Sequence, residues 1–191
     1  MKRAVFLDRD GVINPEVLNP STGQWESPHK AEGFTLFPWT ASALRLISKH
    51  GYLLFLASNQ PDFAKGKTPL EDLIAIHEKF ASAIQDEGIC FSDFFYCFHH
   101  PSGNVPGYSR TCACRKPNPY FLLTAKKKWG LEMNLSWMVG DRHTDILCGK
   151  AAGTKTILIH NEYAKEETGG CPPDFTAVNL KDAARIITGF F

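Results

Sequence analysis

The run Val5-Phe6-Leu7 ends in Asp8-Arg9-Asp10-Gly11, and the run Trp137-Met138-Val139 ends in Gly140-Asp141-Arg142-His143-Thr144-Asp145. A lone Asp-x-Asp is weak evidence, because surface aspartates are common. Two carboxylate clusters that each close an apolar run are much harder to dismiss. Ser58-Asn59-Gln60 closes a third apolar run, and Arg115-Lys116-Pro117 precedes a helical pattern. These residue types suit phosphoryl transfer. An Asp8 carboxylate can attack phosphorus and carry an aspartyl-phosphate, which splits one difficult displacement into two. Asp10, two residues on and on the same side in extended backbone, can protonate the leaving oxygen and then take a proton from the attacking water. Two carboxylates and a phosphate dianion repel one another unless a hard cation lies between them. Oxygen donors suit Mg²⁺ in that place, with Asp141 the natural third ligand. Ser58 can donate its hydroxyl to the phosphoryl oxygens, and Lys116 can neutralise their charge in the transition state.

A second constellation lies between positions 97 and 114. Cys97-x-His99 and Cys112-x-Cys114 offer three thiolates and an imidazole, a closed tetrahedral set of the kind that holds structural Zn²⁺, with His100 competing for the fourth place. A catalytic zinc is disfavoured because all four positions are filled. Such an ion can fold a loop that has no strands of its own and fix Arg115-Lys116 beside it. The other cysteines, Cys90, Cys148 and Cys171, stand alone. A disulfide framework is a weak reading for a chain of this size with no export signal.

Reacting groups in an open parallel sheet collect at the carboxyl ends of the strands, so the surrounding pattern must supply such a sheet. It does. Apolar runs at Ala4 to Leu7, Tyr52 to Ala57, Phe94 to Cys97, Trp137 to Val139 and Thr156 to Ile159 predict strands. Helical patterns separate or follow them at Thr40 to Lys49, Leu70 to Asp86, Pro119 to Trp129, Thr144 to Ala152 and Leu180 to Ile187. Thr68-Pro69 reads as the cap and first turn of the second helix. The expected class is α/β, a doubly wound, mainly parallel sheet with helices on both faces. Residues 1–191 fit one domain with a zinc-binding loop at 97–114 and no large cap. Two irregular stretches remain, Asn14 to Gly33 and Phe98 to Arg115, and loops of that length are usually functional or held by something else.

With 21 Lys plus Arg against 20 Asp plus Glu, the net charge of +1 argues against a polyanion-binding surface over the whole molecule. The first apolar run stops at Asp8, so it is no signal peptide, and no segment approaches the roughly 18 apolar residues of a membrane span. A cytoplasmic monomer, without nucleic-acid or membrane partners, is the expectation.

VFLDRDGVIN, LASNQ, CRKPNP and VGDRHTDI resemble, in order and across nearly the whole chain, the four motifs of the haloacid dehalogenase superfamily of aspartate-nucleophile phosphatases. Within it the chain resembles the D,D-heptose 1,7-bisphosphate phosphatases and the related histidinol-phosphate phosphatases. The resemblance implies a Rossmann-like core, Mg²⁺ dependence, Asp8 as nucleophile and Asp10 as general acid/base. It implies metal contacts from Asp8, the Asp10 main-chain carbonyl and Asp141, phosphoryl contacts from Ser58, Asn59 and Lys116, and substrate recognition by Arg115. Both families carry a zinc loop, and their pattern selects His99 beside Cys97, Cys112 and Cys114.

The long Cys97 to Cys112 connection resembles the heptose enzymes, which implies hydrolysis of D-glycero-D-manno-heptose 1,7-bisphosphate at the 7-phosphate; the alternative is histidinol phosphate or another small phosphomonoester. Two departures bear on the sugar. Where the heptose family usually reads T-N-Q-S-G-I-A-R-G, this chain has Ser58-Asn59-Gln60-Pro61-Asp62-Phe63-Ala64-Lys65-Gly66, which puts a negative charge near a doubly phosphorylated ligand. The loop after Asn14 is longer than the family's, with Trp25, His29 and Lys30 in unfamiliar positions. A zinc-stapled binding module for nucleic acid, using Lys126-Lys127-Lys128 and Arg142, is the reading from another class. The lysine run is more simply the last turn of a helix, where the dipole favours cations.

Overall fold

The computed structural model describes residues 1–160 and 171–189. In chain order its strands are β1 (Arg3–Leu7), β2 (Val17–Asn19), β3 (Gln24–Glu26), β4 (Tyr52–Asn59), β5 (Asp93–Cys97), β6 (Trp137–Gly140), β7 (Lys155–Ile159) and β8 (Phe175–Ala177). The helices are α1 (Thr40–Lys49), α2 (Leu70–Asp86), α3 (Tyr120–Trp129), α4 (His143–Ala152) and α5 (Leu180–Thr188). Six strands form one sheet in the order β5-β4-β1-β6-β7-β8, every pairing parallel.

Successive residues of a strand face opposite ways, and this sheet buries both sets. Val5, Leu7, Leu54 and Leu56 pack with Leu44 and Ile47 of α1, Ile76 and Phe80 of α2 and Leu180 of α5. Ala4, Phe6, Phe55 and Met138 pack on the other side with Leu122 and Ala125 of α3 and Cys148 of α4. Helices therefore cover both faces, as the unbroken apolar strands require. Phe6 and Leu7 are fully buried, and each such side chain contributes about 1.5–3 kcal/mol. This packing anchors β1 in the middle of the sheet, with Asp8 immediately beyond its end.

The bounds of α1 and α2 coincide with the sequence expectation. Two short features depart from it. The stretch from Asn14 to Gly33 contains β2 and β3, an antiparallel hairpin outside the main sheet; three residues per strand are too few for a periodic signal. β8 is equally short and extends the sheet edge. Thr68 does not cap α2. Pro69 occupies the cap position without a side-chain bond, and the Thr68 hydroxyl meets His29 instead. Residues 98–115 contain no helix or strand, and among the described residues nothing of domain size covers the strand tips. No helix among them is long and apolar enough to cross a membrane.

Candidate active site

β4, β1 and β6 are neighbours, so their carboxyl ends bring Ser58-Asn59, Asp8 and Asp141 to one edge of the sheet. A cavity of about 270 Å³ opens there, lined by Asp8, Asp10, Asn59, Arg115, Lys116 and Arg142 among others. Asp8 is tied to its strand tip by main-chain geometry: its N–H donates to the Val139 carbonyl at 3.0 Å, and its Oδ1 accepts from the Arg9 N–H at 2.7 Å.

Lys116 arrives from a loop, yet its side chain is only 2% exposed. Its Nζ lies 3.1 Å from Asp8 Oδ1 and 2.6 Å from Asp145 Oδ1, and donates to the Ala57 carbonyl at 2.7 Å. Burial alone would lower the ammonium, but Asp145 and Asp8 outweigh it and hold its pKa above the ordinary value. Asn59 fixes the lysine's main chain, accepting from its N–H and donating to its carbonyl, each at 3.1 Å. Its amide is thus engaged in positioning Lys116. Asp145 needs room at the end of β6. A Cβ on Gly140 would fall 2.2 Å from the Asp145 side chain, so only glycine fits there.

Asp10 is held by a set of donors that the sequence did not announce. Arg9, fully buried, bonds both of its carboxylate oxygens at 3.1–3.2 Å, while Asn14 and Gln60 amides donate at 2.9 and 2.8 Å. Burial would raise the Asp10 carboxyl; Arg9 and the two amides reverse that and hold it below the usual carboxylate range. Gln60 also donates to Ser58 Oγ at 3.1 Å, which places the Ser58 hydroxyl in this buried network. Arg9 and Gln60 sit inside motifs quoted above, but no periodic or spacing signal marks them as partners, since they meet across 51 residues.

Asp8, Asp141 and Asp145 place one carboxylate oxygen each within 4.8 Å of one another, all three residues buried. This hard oxygen set suits a divalent cation such as Mg²⁺. Lys116 and the Arg142 N–H already engage the two oxygens of Asp145, which leaves Asp8 and Asp141 as the side chains best placed to hold one.

At the rim, Arg142 pairs with Glu16 at 3.1 Å and Lys67 with Glu26 at 3.1 Å. Lys65 and Arg115, both half-buried, have no carboxylate within ion-pairing distance among the described residues. Burial lowers both, and for Lys65 the nearby cations Lys67, Arg115 and Arg142 add to it against Asp62. Lys65 stands in the Ser58 to Gly66 stretch quoted above, where nothing local assigns it a role, and Glu16 belongs to no motif with a defined spacing.

The second constellation also closes on itself. Cys114 Sγ lies 3.3 Å from Cys97 Sγ, 3.4 Å from Cys112 Sγ and 3.5 Å from His99 Nδ1. No disulfide joins these cysteines. Three sulfurs and one imidazole nitrogen converging on a point suit a soft or borderline cation such as Zn²⁺. His100 is turned away, its Nδ1 accepting from the Ser102 N–H. The loop is seated on the stretch after β4, where a Cβ on Gly103 would lie 2.6 Å from the Ala64 carbonyl.

A six-stranded parallel sheet with Asp-x-Asp at the end of its central strand, a lysine held by a carboxylate at a neighbouring tip and no large cap defines a hydrolase of the haloacid dehalogenase type. Residues 113–183 match the HAD-hydrolase-like family. The chain is 32% identical over 190 residues to the D-glycero-beta-D-manno-heptose-1,7-bisphosphate 7-phosphatase of Pasteurella multocida, covering 99% of this chain and 98% of that one. It is 34% identical over 157 residues to the D-glycero-alpha-D-manno-heptose-1,7-bisphosphate 7-phosphatase of Photorhabdus laumondii, covering 82% and 81%. The crystal structure of D,D-heptose 1,7-bisphosphate phosphatase from B. bronchiseptica complexed with magnesium and phosphate superposes with a TM-score of 0.79 at 26% identity, covering 99% of both chains. The chain belongs to the heptose-1,7-bisphosphate 7-phosphatase family of the haloacid dehalogenase superfamily, and it is a phosphoric monoester hydrolase.

Proposed function

We propose that this enzyme removes the 7-phosphate of D-glycero-D-manno-heptose 1,7-bisphosphate through an aspartyl-phosphate on Asp8. The observation that carries the reading is the pair Lys65 and Arg115: two half-buried cations without carboxylate partners among the described residues, on the rim of the cavity that holds Asp8. A substrate with a second phosphate supplies the missing charge. The names of the relatives at about 32% identity, given for both anomers, point to the same substrate.

In the first half-reaction an Asp8 oxygen attacks phosphorus, the bond to the sugar oxygen breaks, and Asp10 gives that oxygen its proton. In the second, water attacks the acyl phosphate, Asp10 takes its proton, and inorganic phosphate leaves. Lys116 balances charge on the phosphoryl oxygens throughout. Arg9, Asn14 and Gln60 orient Asp10 and hold its carboxyl low, which suits proton acceptance; an entering phosphate dianion opposes Arg9 and favours the protonated form for the first half. Mg²⁺, held by Asp8, Asp141 and the Asp10 main-chain carbonyl, neutralises the repulsion between carboxylate and phosphate when bound. Cys97, His99, Cys112 and Cys114 hold a structural Zn²⁺ that fixes Arg115. We further infer that residues 1–191 act as one domain and that the enzyme works as a cytoplasmic monomer on a small phosphorylated sugar.

The test is phosphate release in Mg²⁺ buffer from both anomers of the heptose bisphosphate, histidinol phosphate and ethyl phosphate. One heptose anomer should show the highest kcat/KM, and its product should retain the 1-phosphate. Faster turnover of histidinol phosphate, or no release from any substrate, would overturn the reading.

A further inference from the structure

Nearly everything that lines the catalytic cavity is charged or polar, and among the described residues Trp25 is the one large apolar side chain in its lining. Trp25 lies on β3 directly opposite Leu18 of β2, and it is 44% exposed. It also borders a neighbouring cavity lined by Phe37 and Trp39. The β2–β3 ribbon takes no part in the main sheet, and a two-stranded ribbon is marginally stable by itself. Polar contacts made by the residue next to Trp25 hold it in place. Glu26 accepts from Asn19 Nδ2 and Thr22 Oγ1 at 3.2 Å and from Lys67 Nζ at 3.1 Å, and meets His29 Nε2 at 2.8 Å. His29 Nδ1 in turn reaches Thr68 Oγ1 at 2.5 Å, which ties the ribbon to the segment leading into α2. An indole left half in water beside a ring of charges loses exposed apolar area when a carbon skeleton lies against it, and such contact needs no hydrogen-bond partner.

We propose that Trp25 is a specificity-determining residue, its indole forming the apolar wall against which the carbon skeleton of the sugar lies while the reacting phosphate sits between Asp8 and Lys116. This rests on the sugar-phosphatase reading above. Trp25→Ala should raise KM for the heptose bisphosphate about tenfold, the scale of one lost aromatic contact, with kcat changed less than about threefold. Trp25→Phe should keep KM within about threefold of wild type, because a ring face remains. The KM for ethyl phosphate and inhibition by inorganic phosphate, neither of which carries a sugar, should stay at wild-type values in both variants. The melting temperature of each variant checks that the fold is intact, and should Trp25→Ala melt early, Trp25→Gln, which keeps bulk but no ring face, carries the test with the same expected rise in KM for the sugar substrate. A Trp25→Ala enzyme that keeps the wild-type preference for the sugar substrate over ethyl phosphate would overturn the wall alone. A wild-type enzyme with no such preference would overturn the sugar reading, and the wall with it.

Discussion

Asp8 and Lys116 sit where the sheet ends, one held by a main-chain bond to the neighbouring strand and the other by two carboxylates and a carbonyl in a nearly water-free space. Trp25, Lys65 and Arg115 border the same cavity from segments that have no place in the sheet. Trp25 sits next to a carboxylate clamp at Glu26, Arg115 next to the Cys/His cluster, and the Lys65 N–H donates to the Pro61 carbonyl. The groups assigned to bond breaking are thus built into the core, where displacing one disturbs the fold, whereas those assigned to recognising the rest of the substrate hang on local anchors that can change independently. That division lets a chain of this family vary its loops while its phosphoryl chemistry stays the same.

The sharpest way to break the comparison is Asp8→Asn. It should cut kcat by at least about a thousandfold, because the nucleophile is gone, while thermal melting stays near wild type since Asp145 still pairs with Lys116. Survival of a tenth of the wild-type rate would rule out the aspartyl-phosphate. Lys116→Met should lose activity and stability together. Removing the ammonium leaves Asp8 and Asp145 buried without their counter-charge, and breaking such a buried pair costs about 3–5 kcal/mol, readable in urea melts without Mg²⁺. Unchanged stability there would mean the ion pairs do not hold the centre.

At the rim the effects should be smaller and separable. Purified protein should contain about one Zn²⁺ per chain that survives dialysis against weak chelator. Cys112→Ser should lose that metal, melt lower and retain about a tenth to a hundredth of the activity, without rescue by added Mg²⁺ and still above Asp8→Asn. Metal analysis and melting curves check this, and a zinc-free wild-type preparation would remove the assignment. The smallest change is expected from Glu26→Gln. The hydrogen bond to His29, then those to Asn19 and Lys67, hold the Glu26 carboxyl at about 2 against an ordinary 4.5. A depressed carboxyl contributes stability above its unfolded value and loses that contribution as pH falls through the folded one. The gap in melting temperature between wild type and Glu26→Gln should therefore be constant above pH 4.5 and close as pH falls towards 2. A gap that persists to the acid end would show that the clamp does not act through this carboxylate.

How much of this was legible beforehand follows from distance along the chain. The strand runs, the ends of α1 and α2 and the positions of Asp8, Ser58 and Asp141 beyond apolar segments are written in periods of two and 3.6 residues, which a local reading captures. The Cys97/His99 and Cys112/Cys114 pairs are likewise a matter of spacing and residue type. Tertiary structure alone decided who meets whom. Arg9 reaches Gln60, Lys116 reaches Ala57 and His29 reaches Thr68 across 51, 59 and 39 residues, and no short-range pattern encodes such meetings. The same holds for Thr68, expected as a helix cap on local grounds and drawn instead to an imidazole brought in by another segment. It holds for the β2–β3 ribbon, too short for periodicity and stabilised by side-chain anchors, and for Lys65 and Arg115, whose want of a carboxylate partner among the described residues is a property of the assembled surface. Local order is set by steric and hydrophobic period, which the sequence spells out; the pairing of buried charges is set by packing, because a desolvated charge takes whichever partner the folded chain places beside it.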